Sequence, residues 1–121
     1  MLNGARQPTE LPEPWSPAQA TERIRWIAGC EHLEFALAKH AENQMKERNI
    51  STPDVLYVLK NGFTYNNPES ATQQGYFKYE IQCTTPNSDR RTVNIIVVPS
   101  MQPVAVKIIT VMWDDENMFG G

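Results

Sequence analysis

At 121 residues, 40% hydrophobic and 21% charged, the chain has room for one domain with one core, and its composition is that of a globular protein. No apolar run approaches the roughly 20 residues a membrane-spanning helix needs. The stretch Met1–Trp15 holds three prolines and no apolar segment, so it does not read as a secretory signal. Cys30 and Cys83 lie in no metal-ligand spacing and lack the density of a secreted disulfide scaffold, which points to a reduced, cytoplasmic protein. The net charge of −3 argues against a strongly basic nucleic-acid binder. It is unevenly placed: Asp114, Asp115 and Glu116 make the tail acidic, Arg6, Glu10 and Glu13 give the head one net negative charge, and the middle is about +1.

Residues 1–16 read as a flexible lead-in, with Pro8, Pro12 and Pro14 among polar residues. Ser16 before Pro17 is a helix start, a capping hydroxyl followed by proline where no amide donor is needed. Ala20, Ile24, Ile27 and Ala28 then recur at helical spacing up to Gly29, which predicts a helix over 17–28. In Leu33–Leu37 the odd positions are apolar, fitting a short strand, but the run continues into helix formers and periodicity alone leaves both readings open. Residues 39–48 are strong helix formers, with Ala41 and Met45 inward and Glu42 paired to Lys46. Ser51-Thr52-Pro53-Asp54 starts a further helix, striped by Val55, Leu56, Val58 and Leu59 and ended by Asn61-Gly62.

After a polar loop at 66–74 the period becomes two. Phe77, Tyr79, Ile81 and Cys83 alternate with Tyr76, Lys78, Glu80 and Gln82. Thr92–Val98 is nearly continuous and apolar, as a central strand would be, and Val104–Trp113 is a third β-rich run. The connections Thr84–Asp89 and Pro99–Pro103 carry turn residues and are short enough for hairpins. The expectation is an α+β fold: N-terminal helices packed on one face of a twisted antiparallel sheet. Residues 17–113 form that domain, 1–16 a flexible segment and 114–121 an acidic flexible tail.

There is no P-loop, GxGxxG, HExxH or paired CxxC. His32 and His40 lack the surroundings of a metal site, so neither metal nor cofactor is expected. His40, Gln44 and Arg48 recur at i, i+4 and i+8, along one side of the second helix. A histidine that takes and gives protons and an arginine fork suited to phosphate together match phosphoryl-transfer chemistry. The plainer reading is a locally bonded histidine and an arginine drawn to the helix's negative end. Tyr76 and Lys78 share the outward strand face, where they could stack a base and contact a phosphate; equally, Lys78 is an ordinary strand lysine facing a cross-strand acid. Lys107, Arg90 and Arg91 are weaker candidates of the same kind, and Trp26 and Trp113 read as core.

The string H-A-E-N-Q-M-K-E-R-N-I-S, His40 to Ser51, resembles the signature H-A-x-x-R-M-x-E-R-G-[IV]-[ST] of a widespread bacterial domain-of-unknown-function family. Its members resemble RelE-like and MqsR-like toxins. The preceding helix, D-V-L-Y-V-L, Y-F-K-Y-E and the strand ending I-I-T-V-M extend the similarity over roughly 17–113. The resemblance implies a RelE-like fold and a metal-independent endoribonuclease, in which the RNA 2′-hydroxyl attacks the adjacent phosphate. His40 would transfer the proton, Arg48 and Lys78 would stabilise the phosphate, and Tyr76 would position a base. Gln44, on the helix face with His40 and Arg48, and the weaker candidates Arg91 and Lys107 are expected as further substrate contacts from their own positions. The implied partners are RNA, with ribosome association left open, and a cognate antitoxin protein that covers the cleft or adds to a sheet edge; no membrane is implied. Gln44 stands where the signature has arginine, which removes a cation, and Asn49 where it has glycine, a change the left-handed conformation tolerates. The rival expectations are a non-catalytic protein- or nucleic-acid-binding module on the same fold, or an effector using its acidic tail as an interaction arm.

Overall fold

The computed structural model describes residues 12–116. Two of its three helices begin alike. Ser16 and Ser51 each accept a hydrogen bond from the backbone three residues on, and Gln19 and Asp54 reach back to close a capping box. These caps start α1 (Pro17–Ala28) and α3 (Thr52–Asn61), with α2 (Lys39–Arg48) between them. Asn49 ends α2 at φ 59°, the left-handed position its side chain tolerates. Asp54 also accepts from Thr85 and Asn87, tying α3 to the loop beyond β3. Burial pushes its carboxyl up, but the hydrogen bonds from Ser51, Thr85 and Asn87 outweigh that and hold it below the ordinary aspartate range.

The strands are β1 (Glu34–Leu37), β2 (Glu69–Ser70), β3 (Phe77–Thr84), β4 (Thr92–Met101) and β5 (Val104–Trp113), in the order β1-β5-β4-β3-β2. The α+β class holds, with helices packed against the sheet. The sheet is mixed rather than antiparallel throughout, because β1 lies parallel to β5 while the other pairs are antiparallel. A parallel neighbour needs a long crossover. Here that crossover is most of the chain, so no local pattern announces it. β2 falls within the span expected to be loop.

α1 and α3 cover one face. There Ile24, Ile27, Val58 and Leu59 meet Tyr79, Ile81, Ile95, Val97 and Ile108, all fully buried. α2 instead packs on β5. β1 pairs with β5 only as far as Ile108, and Ala38 N–H still reaches the Ile108 carbonyl. Three residues on, the Val111 amide has no strand beside it; buried Gln44 accepts from it at 2.9 Å. A side-chain amide thus continues the ladder where the edge strand stops.

The expected lead-in and tail are partly ordered. Trp15 is 2% exposed, stacks on Tyr79 at 5.3 Å and donates its amide to the Tyr79 hydroxyl at 3.0 Å. Burial pushes the Glu13 carboxyl beside that hydroxyl up. At the other end Asp114–Glu116 form a 3-10 turn. The remainder of both expected segments, 1–11 and 117–121, lies outside the described residues. Among those described, no helix is long and apolar enough to cross a membrane.

Candidate functional site

Strand alternation gives the sheet a second face, turned away from α1 and α3. It carries Lys78, Glu80 and Gln82 of β3, Asn94, Ile96 and Val98 of β4, and Lys107 and Thr110 of β5. Val98 pairs with Lys107, and because Tyr79 pairs with Val97, Lys78 lies on Val98's other side. Lys78, Val98 and Lys107 therefore form one cross-strand row, its lysines two strand spacings apart, or about 10 Å between Cα atoms. The loop ahead of β3 folds along this row. Gln73 and Tyr76 together with Lys78, Val98, Lys107 and Ile109 line a cleft of about 390 Å³. Lys78 and Ile109 also line a neighbouring hollow of about 410 Å³, opposite Asn66, Glu69 and Glu80. Lys78 Nζ stands 3.9 Å from the Glu69 carboxylate, a pair exposed enough to leave the lysine free to exchange partners.

Both signs of charge stand on this face. Lys78 and Lys107 share one row, with the Glu69 carboxylate against Lys78, and Glu80 and Asp114 gather at Asn94. Asn94 is 2% exposed, and its amide nitrogen lies 2.7 Å from Glu80, 3.1 Å from Gln82 and 3.0 Å from Asp114. Asn66 donates to the other Glu80 oxygen. Glu80 is thus oriented by two amides and makes no ion pair among the described residues.

Of the expected site residues, the structure gathers Tyr76, Lys78 and Lys107 around one cleft. It does not bring His40, Gln44 or Arg48 there. His40 is exposed in the first turn of α2. Gln44 is turned inward onto Val111. The Arg48 guanidinium holds Glu116 through Nε at 2.9 Å to both carboxylate oxygens and through Nη2 at 2.9 Å, and meets Glu47 at 3.2 Å. The Arg48 hydrogen bond accordingly holds the Glu116 carboxyl below its ordinary range, with help from the Trp113 amide, although burial opposes. Arg91 lies against Asp115 at 2.9 and 3.0 Å and over the Trp113 ring at 4.1 Å. The acidic turn therefore occupies Arg48 and Arg91, two of the three arginines offered as phosphate contacts.

Three residues of this face were not singled out by the pattern. Phe63 and Tyr65 are exposed aromatics just outside β3's edge; their period-two spacing in G-F-T-Y was the available signal. Asn94, polar within the apolar run T-V-N-I-I-V-V, was another. Among the described residues no group of three or more His, Cys, Asp or Glu side chains is placed to hold a metal ion.

The family model described as Domain of unknown function (DUF4258) matches residues 37–113. The chain belongs to the DUF4258 family. The matched span runs from the end of β1 to the end of β5 and includes the cleft, α2 and the exposed aromatics. No curated protein and no solved structure matches the chain.

Proposed function

We propose that this DUF4258 domain is a cytoplasmic RNA-binding domain related to the RelE- and MqsR-like toxins, holding RNA on the helix-free face of its sheet. The observation that carries the reading is the Lys78–Val98–Lys107 row with Tyr76 on the same cleft. Two ammonium groups flanking an apolar floor suit a bridging phosphate, and a phenol ring beside them suits a base. Two phosphate contacts on a single strand give a shallow salt dependence, a log–log slope of about −1.4. The test is anisotropy of a fluorescein-labelled RNA across a salt series, with wild type against the Lys78→Ala/Lys107→Ala double variant. Wild type should bind at low salt and the double variant about tenfold or more weakly. Equal binding by the two, or none by wild type, refutes the reading.

One observation favours a second reading, the metal-independent endoribonuclease with an antitoxin partner: Glu80 lines the same hollow as Lys78. A carboxylate there can take the 2′-hydroxyl proton as the O2′–P bond forms, while the lysine opposes charge building on the phosphate. The P–O5′ bond breaks and a proton joins the departing 5′-oxygen, leaving a 2′,3′-cyclic phosphate. Those termini on incubated RNA, and growth arrest on induction, would support it. Loss of both in Glu80→Gln but not in His40→Ala would place the base on the sheet rather than on α2.

A further inference from the structure

Beyond α3 the chain alternates for four residues. Gly62 and Thr64 are buried, whereas Phe63 and Tyr65 are 48% and 65% exposed. Thr64 donates its amide to Thr21 Oγ1 of α1 at 2.9 Å, which turns that residue towards the helices. Phe63 exchanges both backbone hydrogen bonds with Gln82 at 3.0 Å, so its ring shares the helix-free face with the Gln82 side chain. Carrying that register two residues on sets Tyr65 beside Glu80. The two rings stack at 6.2 Å with planes 27° apart. Behind Phe63, the Arg25 guanidinium lies 4.6 Å from the ring centroid, fixed by the Gly62 carbonyl at 2.8 and 3.0 Å and the Asn61 carbonyl at 3.0 Å. A cation–ring–ring stack this open on the surface is suited to receive a further flat ring.

We infer that Phe63 and Tyr65 form a stacking platform for the bases of single-stranded RNA whose phosphate is held at the Lys78–Lys107 row. This rests on the RNA-binding reading and specifies its substrate class. The Lys78–Lys107 row and Glu80 set the orientation, with Glu69 the acid against Lys78 and Arg25 already held by the Gly62 and Asn61 carbonyls. A phosphate is attracted to the lysine row and repelled by Glu80, whereas a base over Tyr65 has Glu80 beside it as an acceptor for its edge, at the hollow that Asn66 and Asn67 also line. Rings present an area every base can stack on, so the platform is tolerant of sequence. A duplex keeps its bases paired and stacked on one another, and cannot use it.

The test is anisotropy of a labelled ten-nucleotide mixed-sequence RNA, alone and annealed to its complement, across a salt series. Single-stranded RNA should bind more tightly than duplex. Phe63→Ala and Tyr65→Ala should each weaken single-strand binding about tenfold with the salt slope unchanged, whereas Lys78→Ala should reduce the slope by about 0.7. Tyr65→Phe and Phe63→Trp keep a ring and should bind like wild type, which separates lost stacking from a disturbed fold. If the alanine variants bind like wild type while Lys78→Ala weakens binding, or if duplex binds as well as single strand, the platform is overturned and the RNA-binding reading survives. If wild type binds neither RNA, both fall.

Discussion

Along α2, His40, Gln44 and Arg48 share one side of a helix; across the sheet, Tyr76, Lys78 and Lys107 share one face. Only the second set opens onto a common space. The i, i+4, i+8 spacing does align side chains along α2, but what they meet depends on the neighbours. At Gln44 the neighbour is an unpaired strand amide, and at Arg48 it is an acidic turn 68 residues away in sequence. Both are spent on holding the fold. The strand residues keep their freedom because α1 and α3 cover only the opposite face, leaving Lys78 and Lys107 on a surface that neither helix covers.

If that contrast is right, substitutions in the two regions should have opposite signatures. Gln44→Leu keeps the volume but leaves the Val111 amide buried without an acceptor, so it should cost about 2 kcal/mol, read as a lower urea midpoint with an unchanged slope, and leave RNA affinity intact. Lys78→Ala/Lys107→Ala should do the reverse: binding falls about tenfold, while stability stays within about 0.5 kcal/mol, as for exposed surface substitutions. A stability loss in the lysine variant, or a binding loss in the Gln44 variant, would break the comparison.

A smaller effect sharpens it at the acidic turn. Glu116 has a folded-state pKa below its ordinary 4.5, so its pairing with Arg48 contributes stability above that value, and the contribution is lost as pH falls through the depressed one. Glu116→Gln should therefore destabilise by about 1 kcal/mol at pH 7, with the gap to wild type closing in acid, as thermal melts between pH 7 and 2 would register. The smallest effect belongs to His40→Ala. Exposed as it is, its loss should move neither the melting temperature nor RNA affinity. A loss of cleavage in that variant alone would return the chemistry to α2.

Local physics made most elements legible. Ser16-Pro17 and Ser51–Asp54 announce helix starts because capping depends on residues three apart, and Phe77–Cys83 announces its strand because burial alternates with the pleat. The same alternation put Tyr76 and Lys78 on a common outer face before any partner strand was known. Asn49 was readable too, since few side chains accept a left-handed cap.

What the chain alone could not disclose are relations between distant segments. The parallel seating of β1 on β5, the use of Gln44 as a substitute for a missing strand, the burial of Trp15 on Tyr79 and the neutralisation of Arg48 and Arg91 by the turn at 114–116 each join residues separated by 24 or more positions. Secondary structure and facing are short-range properties, set by caps, turns and the period of burial. Whether a charged side chain is free or paired depends on which remote group the tertiary fold brings within about 3 Å, and that is decided only when the sheet is assembled.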